Sequence, residues 1–375
     1  MTLPAFCTLI LRSPTRFATV VAHVVACFAM VCAGNVLHAA DASSLYQTQE
    51  VVNSREDATE RNRAFNSGLE DVLLKVSGRV DTLENPIIRR QLQNTQALVE
   101  GWAYQTRVED GAERLYLQIT YFQPEVQRVL ESAGIPLWPA NRPETLVWVV
   151  TQNELGEQSF SDPQTEPELF TQLKTAADRR GLPLRFPLLD LQDRMLIAAE
   201  QVWVMDELAL RGAAQRYGSE SILAIRLFRT LAGETYGKAV YLFRDHMLDI
   251  ESFEDPEPAF LETAIALAAE ELAGTFAVRL SASTSGSSSI TMNVSGIQSA
   301  ADYAAILRYL DELTVVNSVQ VLAAQGDKLT LQVRAGGQLR QLMETLTLER
   351  RLVQQSEAAL VGQEMAVQYL WQSSL

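Results

Sequence analysis

The chain has 375 residues, 47% of them apolar and 21% charged, with a net charge of −15. That is apolar material for about two or three packed domains, and it excludes a mostly disordered chain. So acidic a chain is also a poor partner for nucleic acid or anionic lipid over any large surface. Composition alone names no reaction.

Residues 1–40 differ from all that follows. They hold every cysteine (Cys7, Cys27 and Cys32), His23 and His38, the cations Arg12 and Arg16, and no acid. After Arg16 the apolar run Phe17–Ala33 leads to small residues and Ala39-Ala40-Asp41. A positive start, an apolar middle and a small-residue exit predict a secretory signal peptide over 1–40, cleaved near Ala40, and hence a periplasmic chain. The alternative is an uncleaved anchor across Phe17–Leu37, which His23, Gly34 and Asn35 weaken. Lipid attachment at Cys32 is disfavoured because Ala29-Met30-Val31 puts no small residue directly ahead of it. Without residues 1–40 the net charge becomes −17, cysteine falls to zero and His246 is the one histidine left. A thiol nucleophile, a thiolate zinc site and a multi-histidine metal centre are then excluded, and no cofactor is expected. Such a chain depends on its cores and not on disulfides. The Ala-rich stretch near Ile265 carries Glu262, Glu270 and Glu271, so no further membrane segment is expected.

Three segments follow. In the first, Asp41–Ala140, Tyr46–Val52 reads as a strand, and Ser54 with Asp57 reads as an acidic capping box. Phe65, Leu69, Val72, Leu73 and Val76 then form one apolar stripe of a helix ending near Gly78. Asn85-Pro86 opens a short helix. Val99–Val108 and Leu115–Tyr121 alternate around Glu109-Asp110-Gly111-Ala112 as a hairpin, and a helix from Pro124 closes at Gly134. Pro136, Pro139 and Pro143 mark a boundary.

The second segment, Glu144–Leu280, begins with the unbroken apolar run Leu146–Val150, which suits a strand buried on both faces. An acidic loop, Thr151–Pro167, leads to a helix with the box Thr165-x-x-Glu168 and a stop at Gly181. Leu182–Phe186 is the next expected strand, Asp206–Tyr217 a helix ended by Gly218, and Ile222–Phe228 a third strand. After Gly233 a fourth strand, Ala239–Arg244, is read as continuing through Ile250, followed by a helix over Ala259–Val278. The order predicts an α/β layer sandwich with a mixed sheet. Ser281–Ser289 reads as a flexible tether.

The third segment, residues 290–375, has a strand at Ile290–Val294 and a helix from the box Ser299-x-x-Asp302. A hairpin, Val315–Leu322 with Leu329–Val333, turns at Gln325-Gly326-Asp327. A helix at Leu339–Leu348 and a strand at Met365–Trp371 complete a β-α-β-β-α-β order of ferredoxin-like type. The fold class is therefore α+β in three modules.

Two resemblances accompany this layout. Arg61-Asn62-Arg63-Ala64-Phe65, Leu73-Leu74-Lys75-Val76-Ser77-Gly78, Gly134-Ile135-Pro136-Leu137-Trp138 and Tyr217-Gly218 resemble an uncharacterised proteobacterial family, domain of unknown function 2066. It would cover most of residues 45–370 and implies export without an established activity. Ala213–Leu223, a helix ending at Gly218 and dropping into a buried strand, looks like the amino-terminal domain of the Tol translocation protein. That resemblance implies binding to envelope proteins and no chemistry, although the propeller repeats of the Tol protein are lacking.

Candidate chemistry is thin. His246 could serve as a base, but a Ser-His-Asp site needs a serine elbow, and the nearest glycine–serine stretch is Ser285-Gly286-Ser287 in the tether. Asp190 with Asp193, or Asp206 with Glu207, could act as acid and base on glycan or murein; Asp190 is more simply a helix N-cap. Gly336-Gly337 makes no phosphate loop, and Lys75, Lys174, Lys238 and Lys328 stand in no phosphate-binding context. The acidic loops Thr151–Pro167 and Glu251–Glu257 lack a calcium pattern. Trp102, Trp138, Trp148, Trp203 and Trp371 are more consistent with packing than with glycan stacking, and Trp138 is the best interface anchor. No catalytic, cofactor-binding or metal residue is assigned. The expectation is a non-catalytic envelope protein whose partners are other envelope proteins, with open sheet edges available for strand addition. The alternatives are an envelope hydrolase using a carboxylate pair and a small-ligand binder.

Overall fold

Each alternating apolar run of the sequence pairs into one of three sheets. The computed structural model describes residues 42–109, 111–153, 155–230, 235–253, 255–279, 287–313, 316–336, 342–343, 345–346, 351–355, 359–361 and 364–372. The expected signal segment lies outside these residues, as do residues 281–286 of the expected tether.

The first sheet has the order β1-β3-β2, with β1 at Gln47–Val52, β2 at Val99–Glu109 and β3 at Ala112–Tyr121, all antiparallel. Leu117, Ile119 and Tyr121 of β3 alternate inward and are buried against the stripe of α1 (Ala58–Ser77): Phe65, Leu69, Val72, Leu73 and Val76. The short α2 (Pro86–Gln91) and α3 (Gln123–Ala133) add Ile88, Val126 and Leu130 to the same core. Hairpin, stripe and helix stops lie where the sequence puts them. The cap of α1 differs: Asp57, not Ser54, accepts from the N–H groups of Thr59 and Glu60. Ser54 instead accepts from Glu56 N–H, and Glu60 reaches back to the N–H groups of Asn53 and Ser54. Two overlapping Ser/Asp caps compete here, and the carboxylate takes the helix terminus, where the dipole favours negative charge.

The second sheet has the order β5-β4-β7-β8-β9, with β6 also on β4. Here β4 is Thr145–Gln152, β5 Gln158–Phe160, β6 Leu184–Arg185, β7 Ser221–Arg229, β8 Thr235–Phe243 and β9 His246–Ser252. Strands β4 and β7 are parallel, while β7–β8 and β8–β9 are antiparallel. Val147, Val149, Leu223, Ile225, Leu227, Ala239, Tyr241 and Phe243 face α4 (Pro167–Arg180) and α8 (Glu257–Phe276). Leu146, Trp148, Val150, Ile222, Ala224, Val240 and Leu242 face three short helices, α5 (Leu191–Leu196), α6 (Ala199–Trp203) and α7 (Glu207–Ala214). The sheet is thus buried on both faces, as an unbroken apolar strand requires.

Three local expectations change in this segment. β6 has two residues instead of Leu182–Phe186, because Pro183 brings no N–H to the ladder. Residues 239–250 form two strands: Arg244 takes a left-handed φ of 49° and turns the chain between β8 and β9. Thr165 does not cap α4; Glu166 holds that position, and Thr165 bonds Asp162 instead.

The third sheet has the order β11-β12-β10-β15-β13, with β14 also on β15. Its strands are β10 (Ser287–Ser295), β11 (Val316–Gln325), β12 (Lys328–Gly336), β13 (Leu352–Gln354), β14 (Ala359–Val361) and β15 (Glu364–Trp371). The α9 helix (Ala300–Glu312) starts at Ser299, whose hydroxyl accepts from Asp302 N–H, as its capping box predicts. Ser287–Ser289 pair with Arg334–Gly336 and so belong to a strand, not to the expected tether. The expected helix Leu339–Leu348 falls largely outside the described residues; Leu342, Met343, Thr345 and Leu346 are helical. In a ferredoxin-like order the last strand would run antiparallel to the first. Here β15 is parallel to β10, with Ile290 opposite Met365 and Ser295 opposite Leu370. The reason is an added reversal: β13 and β14 run along the far side of β15 in the opposite direction. They keep the direction expected of the last strand, and the chain then doubles back to place β15 beside β10. The architecture is mixed α+β. Among the described residues no helix is long and apolar enough to cross a membrane.

One core from each sheet meets at Leu137 and Trp138. Leu137 belongs to the first core, Trp138 to the second, and Val278, which exchanges two 2.7 Å backbone bonds with Leu137, to the third. Trp138 also donates its backbone N–H to Val76 O at 2.7 Å. Under the indole lies Arg142, its guanidinium carbon 4.0 Å from the ring centroid. This cation is bonded to carbonyls and not to carboxylates. Nε donates to Pro139 (2.8 Å), Nη1 to Gly181 (2.6 Å) and Arg180 (3.3 Å), and Nη2 to Lys75 (2.7 Å) and Trp138 (2.9 Å). Lys75 and Arg180 stand in the last turns of α1 and α4, so two helix C-termini turn their negative ends on one buried positive charge. Burial lowers the Arg142 pKa to about 9, which leaves it a cation at neutral pH. The proline-marked boundary is therefore a bonded joint, and residues 40–375 form one compact unit.

Candidate interaction surface

The layer α5–α7 has an inner and an outer apolar side. Its inner side chains, Ile197, Val202, Met205, Leu210, Ala213 and Ala214, are buried on the second sheet. Its outer ones are bare: Leu191 is 75% exposed, Met195 79% and Leu208 83%, with Leu188, Leu196 and Val204 also open. Leu191 and Met195 are one turn apart on α5, and both α5 and α6 pack against α7. Fully burying an aliphatic side chain gains roughly 1.5–3 kcal/mol, so this layer holds back stabilisation that a partner could supply. Concentrated exposed apolar side chains of this kind mark interaction sites.

The backbone of the layer is pinned at each joint. Leu189 and Met205 take left-handed φ values of 52° and 57°, a conformation that costs a non-glycine residue about 1–2 kcal/mol. Each is followed by an aspartate that caps the next helix: Asp190 accepts from Asp193 N–H and Asp206 from Ala209 N–H. Between these, Gln201 accepts from Ala198 N–H at the start of α6, and Arg226 of β7 donates to Trp203 O at its end.

The carboxylate pairs offered by the sequence are absorbed in this framework. Asp193 is buried and accepts from Arg216 Nη1 (2.6 Å), Tyr217 OH (2.5 Å) and Leu189 N–H (2.8 Å). Asp190 accepts from both terminal nitrogens of Arg216 at 2.6 and 2.7 Å. Hydrogen bonds from Arg216, with the Asp193 N–H behind them, hold the Asp190 carboxyl far below its ordinary value. This pair is built to stay ionised and to fasten α5 to the turn that follows α7. Glu207 bonds Arg211 one turn on. At the carboxyl ends of β4 and β7, where a parallel sheet offers its crevice, Arg229 joins Glu166 at 2.6 Å and Glu257 at 2.7 Å.

The Asp190–Arg216 pair gives a signed pH prediction. An acid with a depressed folded pKa contributes stability that is complete above its ordinary value and is lost as pH falls through the folded value. Thermal stability should therefore fall below about pH 4, and Asp190→Asn or Arg216→Ala should flatten that slope. An unchanged slope in either variant would show that the pair contributes nothing.

The remaining candidates are scattered. His246 opens β9, is exposed, and places Nδ1 2.6 Å from Glu271 Oε1. Trp138, Trp148 and Trp371 are buried. Trp102 is half-exposed, edge-on to Phe65 with Arg61 over it, and Trp203 lies under Arg226. Lys75 donates to Gln47 O and Lys238 pairs with Asp249. The Trp138 anchor thus serves contacts within the chain. The exposed face is not apparent in the sequence, because nothing in the order of Leu188, Leu191, Met195 and Leu208 separates the sheet side from the solvent side.

Residues 39–139 match a family described as Domain of unknown function (DUF8605). This corrects the resemblance to domain of unknown function 2066, since the family that matches is a different one. No curated protein matches the chain. Among solved structures, the chain is similar in part to the competence damage-inducible protein A (ComA) from Klebsiella pneumoniae subsp. pneumoniae MGH 78578. The identity is 16% and the TM-score 0.21, over 40% of this chain and 89% of that one. A formyltetrahydrofolate deformylase from Pseudomonas putida KT2440 is 12% identical with a TM-score of 0.14, over 53% of this chain and 91% of that one. Likeness this low carries no argument about fold or activity, and it leaves the Tol resemblance without support. What the comparisons attach to the chain is one family match, over residues 39–139, to a domain whose function is unknown.

Proposed function

We propose that this chain is an exported, periplasmic envelope protein that acts by contact with other envelope proteins and not by catalysis. Its modules are residues 41–140, 144–280 and 290–375, the last a ferredoxin-like plan extended by the β13–β15 reversal. The observation that carries the reading is the outer face of α5–α7, where large aliphatic side chains stand in solvent on a backbone fixed by ionic and capping bonds. A rigid, apolar, exposed face suits protein recognition. The acidic pairs beside it are consistent with this role, since each is held by an arginine or a helix end and not presented to a substrate.

A complementation experiment separates contact from hydrolysis. In cells lacking the native chain, Asp206→Asn should restore whatever the native chain restores, because asparagine caps a helix as well as aspartate does. Leu191→Asp with Met195→Asp should not. Turnover of murein, glycan or ester by the purified protein, lost in Asp206→Asn, would replace this reading with the hydrolase.

A further inference from the structure

The outer edge of the first sheet is open. Among the described residues β2 pairs with β3 on one side and with no strand on the other. Alternate residues of Val99–Glu109 therefore turn their N–H and C=O groups away from the sheet, the template on which a further strand adds. Helix α1 packs over β1 and β3, and from its first two turns Arg61 and Phe65 reach out to Trp102 of β2. The Arg61 guanidinium carbon lies 6.0 Å from the Trp102 ring centroid. Arg55, in the turn before α1, lies 5.9 Å over Tyr104 and donates to Thr106 Oγ1 at 3.2 Å, while Tyr104 OH donates to Arg55 O at 3.0 Å. Trp102, Tyr104 and Thr106 share one face of β2, so two cations stand in a row along an open edge. Elsewhere Arg179, Arg216 and Arg229 each join two carboxylates. Arg55 and Arg61 form no ion pair with any described acid. Two acids of the same turn are bound in place: Asp57 caps α1, and Glu60 accepts from the N–H groups of Asn53 and Ser54. That leaves the exposed Glu56 beside two guanidinium groups.

We propose that β2 receives an extended acidic segment of a partner protein as an added strand, with carboxylates at alternate positions beside Trp102 and Tyr104, where Arg61 and Arg55 take them. In strand addition the main-chain bonds supply affinity and the alternate side chains supply specificity. An added strand would lie about 4.8 Å beyond β2, within reach of guanidinium groups that already stand over its outward rings. Arginine and carboxylate form strong, charge-assisted bonds, and a basic segment would meet like charge at the same positions. This edge lies on a different sheet from α5–α7, so it adds a second contact to the reading above and is tested apart from it.

The test uses the full-length protein and three synthetic peptides. One alternates valine with glutamate, one valine with lysine, and the third is the glutamate peptide with every backbone amide N-methylated. Binding is followed by fluorescence anisotropy, and amide hydrogen exchange reports on β2. The glutamate peptide should bind, weaken as salt is added, and slow exchange within Val99–Glu109. Its affinity should fall at least about tenfold in Arg55→Gln with Arg61→Gln, a variant whose folding circular dichroism checks. Arg55→Lys with Arg61→Lys keeps both charges and should retain the preference for glutamate over lysine. The N-methylated copy keeps the acids but loses the strand's donors, so it should not bind. Equal binding of the lysine peptide or of the N-methylated copy would overturn the proposal, as would undiminished binding by the folded glutamine variant. No binding of the glutamate peptide, preference for phosphatidylglycerol vesicles, or a dimer that competes with the peptide would also overturn it. Leu191→Asp with Met195→Asp should leave peptide binding unchanged. If that variant alone loses its cellular contacts while the native chain ignores the glutamate peptide, the strand site fails and the α5–α7 reading stands; the reverse pattern removes the α5–α7 reading and keeps the strand site.

Discussion

Arg142→Met should cost at least about 1–3 kcal/mol, the penalty for leaving even one buried acceptor without its donor. Arg142 is buried, and its guanidinium is bonded to the carbonyls of Lys75, Trp138, Pro139, Arg180 and Gly181. Methionine would fill much of the volume but would leave those carbonyls buried without donors, each at the price of its own desolvation. It would also forfeit the contact with the Trp138 ring. Arg142→Lys keeps the charge and loses the planar fork, so it should fall between native and Met. Denaturant unfolding measures the series. A Met variant within about 0.5 kcal/mol of native, the ordinary range for surface changes, would mean that the two helix ends do not depend on this cation.

Gly78→Ala should cost about 2–5 kcal/mol, through two terms that add. Gly78 closes α1 at φ 69°, and a side chain in that left-handed region costs about 1–2 kcal/mol. A Cβ there would also fall on Cβ of Ala273 and 2.6 Å from Cε3 of Trp138, and overpacking of this kind costs about 1–3 kcal/mol. The steric part can be separated from the backbone part. Ala273→Gly, itself costing about 1 kcal/mol in a helix, removes one clashing atom, so the double variant should be more stable than additivity predicts. Strict additivity would contradict the close packing of α1 on α8 at this joint.

Both variants concern the proline-marked stretch between the first and second sheets. Three prolines within Pro136–Pro143 withdraw N–H groups, but they say nothing of what Leu137, Trp138 and Arg142 reach across the chain. The strand runs and the Gly78, Gly134, Gly181 and Gly218 stops were legible because period and left-handed closure are local. The β8–β9 turn was not, since Arg244 occupies a left-handed position that ordinarily calls for glycine or asparagine. The direction of β15 was hidden for another reason: short β13 and β14 carry too little pattern to announce a reversal. For the candidate surface, Asp190 as a cap was legible from its spacing to Asp193. Its bond to Arg216 was not, because nothing in the chain order joins residue 190 to residue 216. Nor was the exposure of Leu191, Met195 and Leu208, since an apolar residue in a short helix looks the same whether it faces the sheet or the solvent.

The central claim is that the outer face of α5–α7 is where this protein meets another protein. A photo-crosslinking residue placed at Leu191 in living cells tests it most directly, with the same residue at the exposed Leu322 of β11 as the comparison. The account predicts a discrete crosslinked species from position 191, absent from position 322 and lost when Met195→Asp is added. Crosslinks from 322 equal to those from 191, or none from 191 under conditions where the chain is abundant and folded, would contradict it.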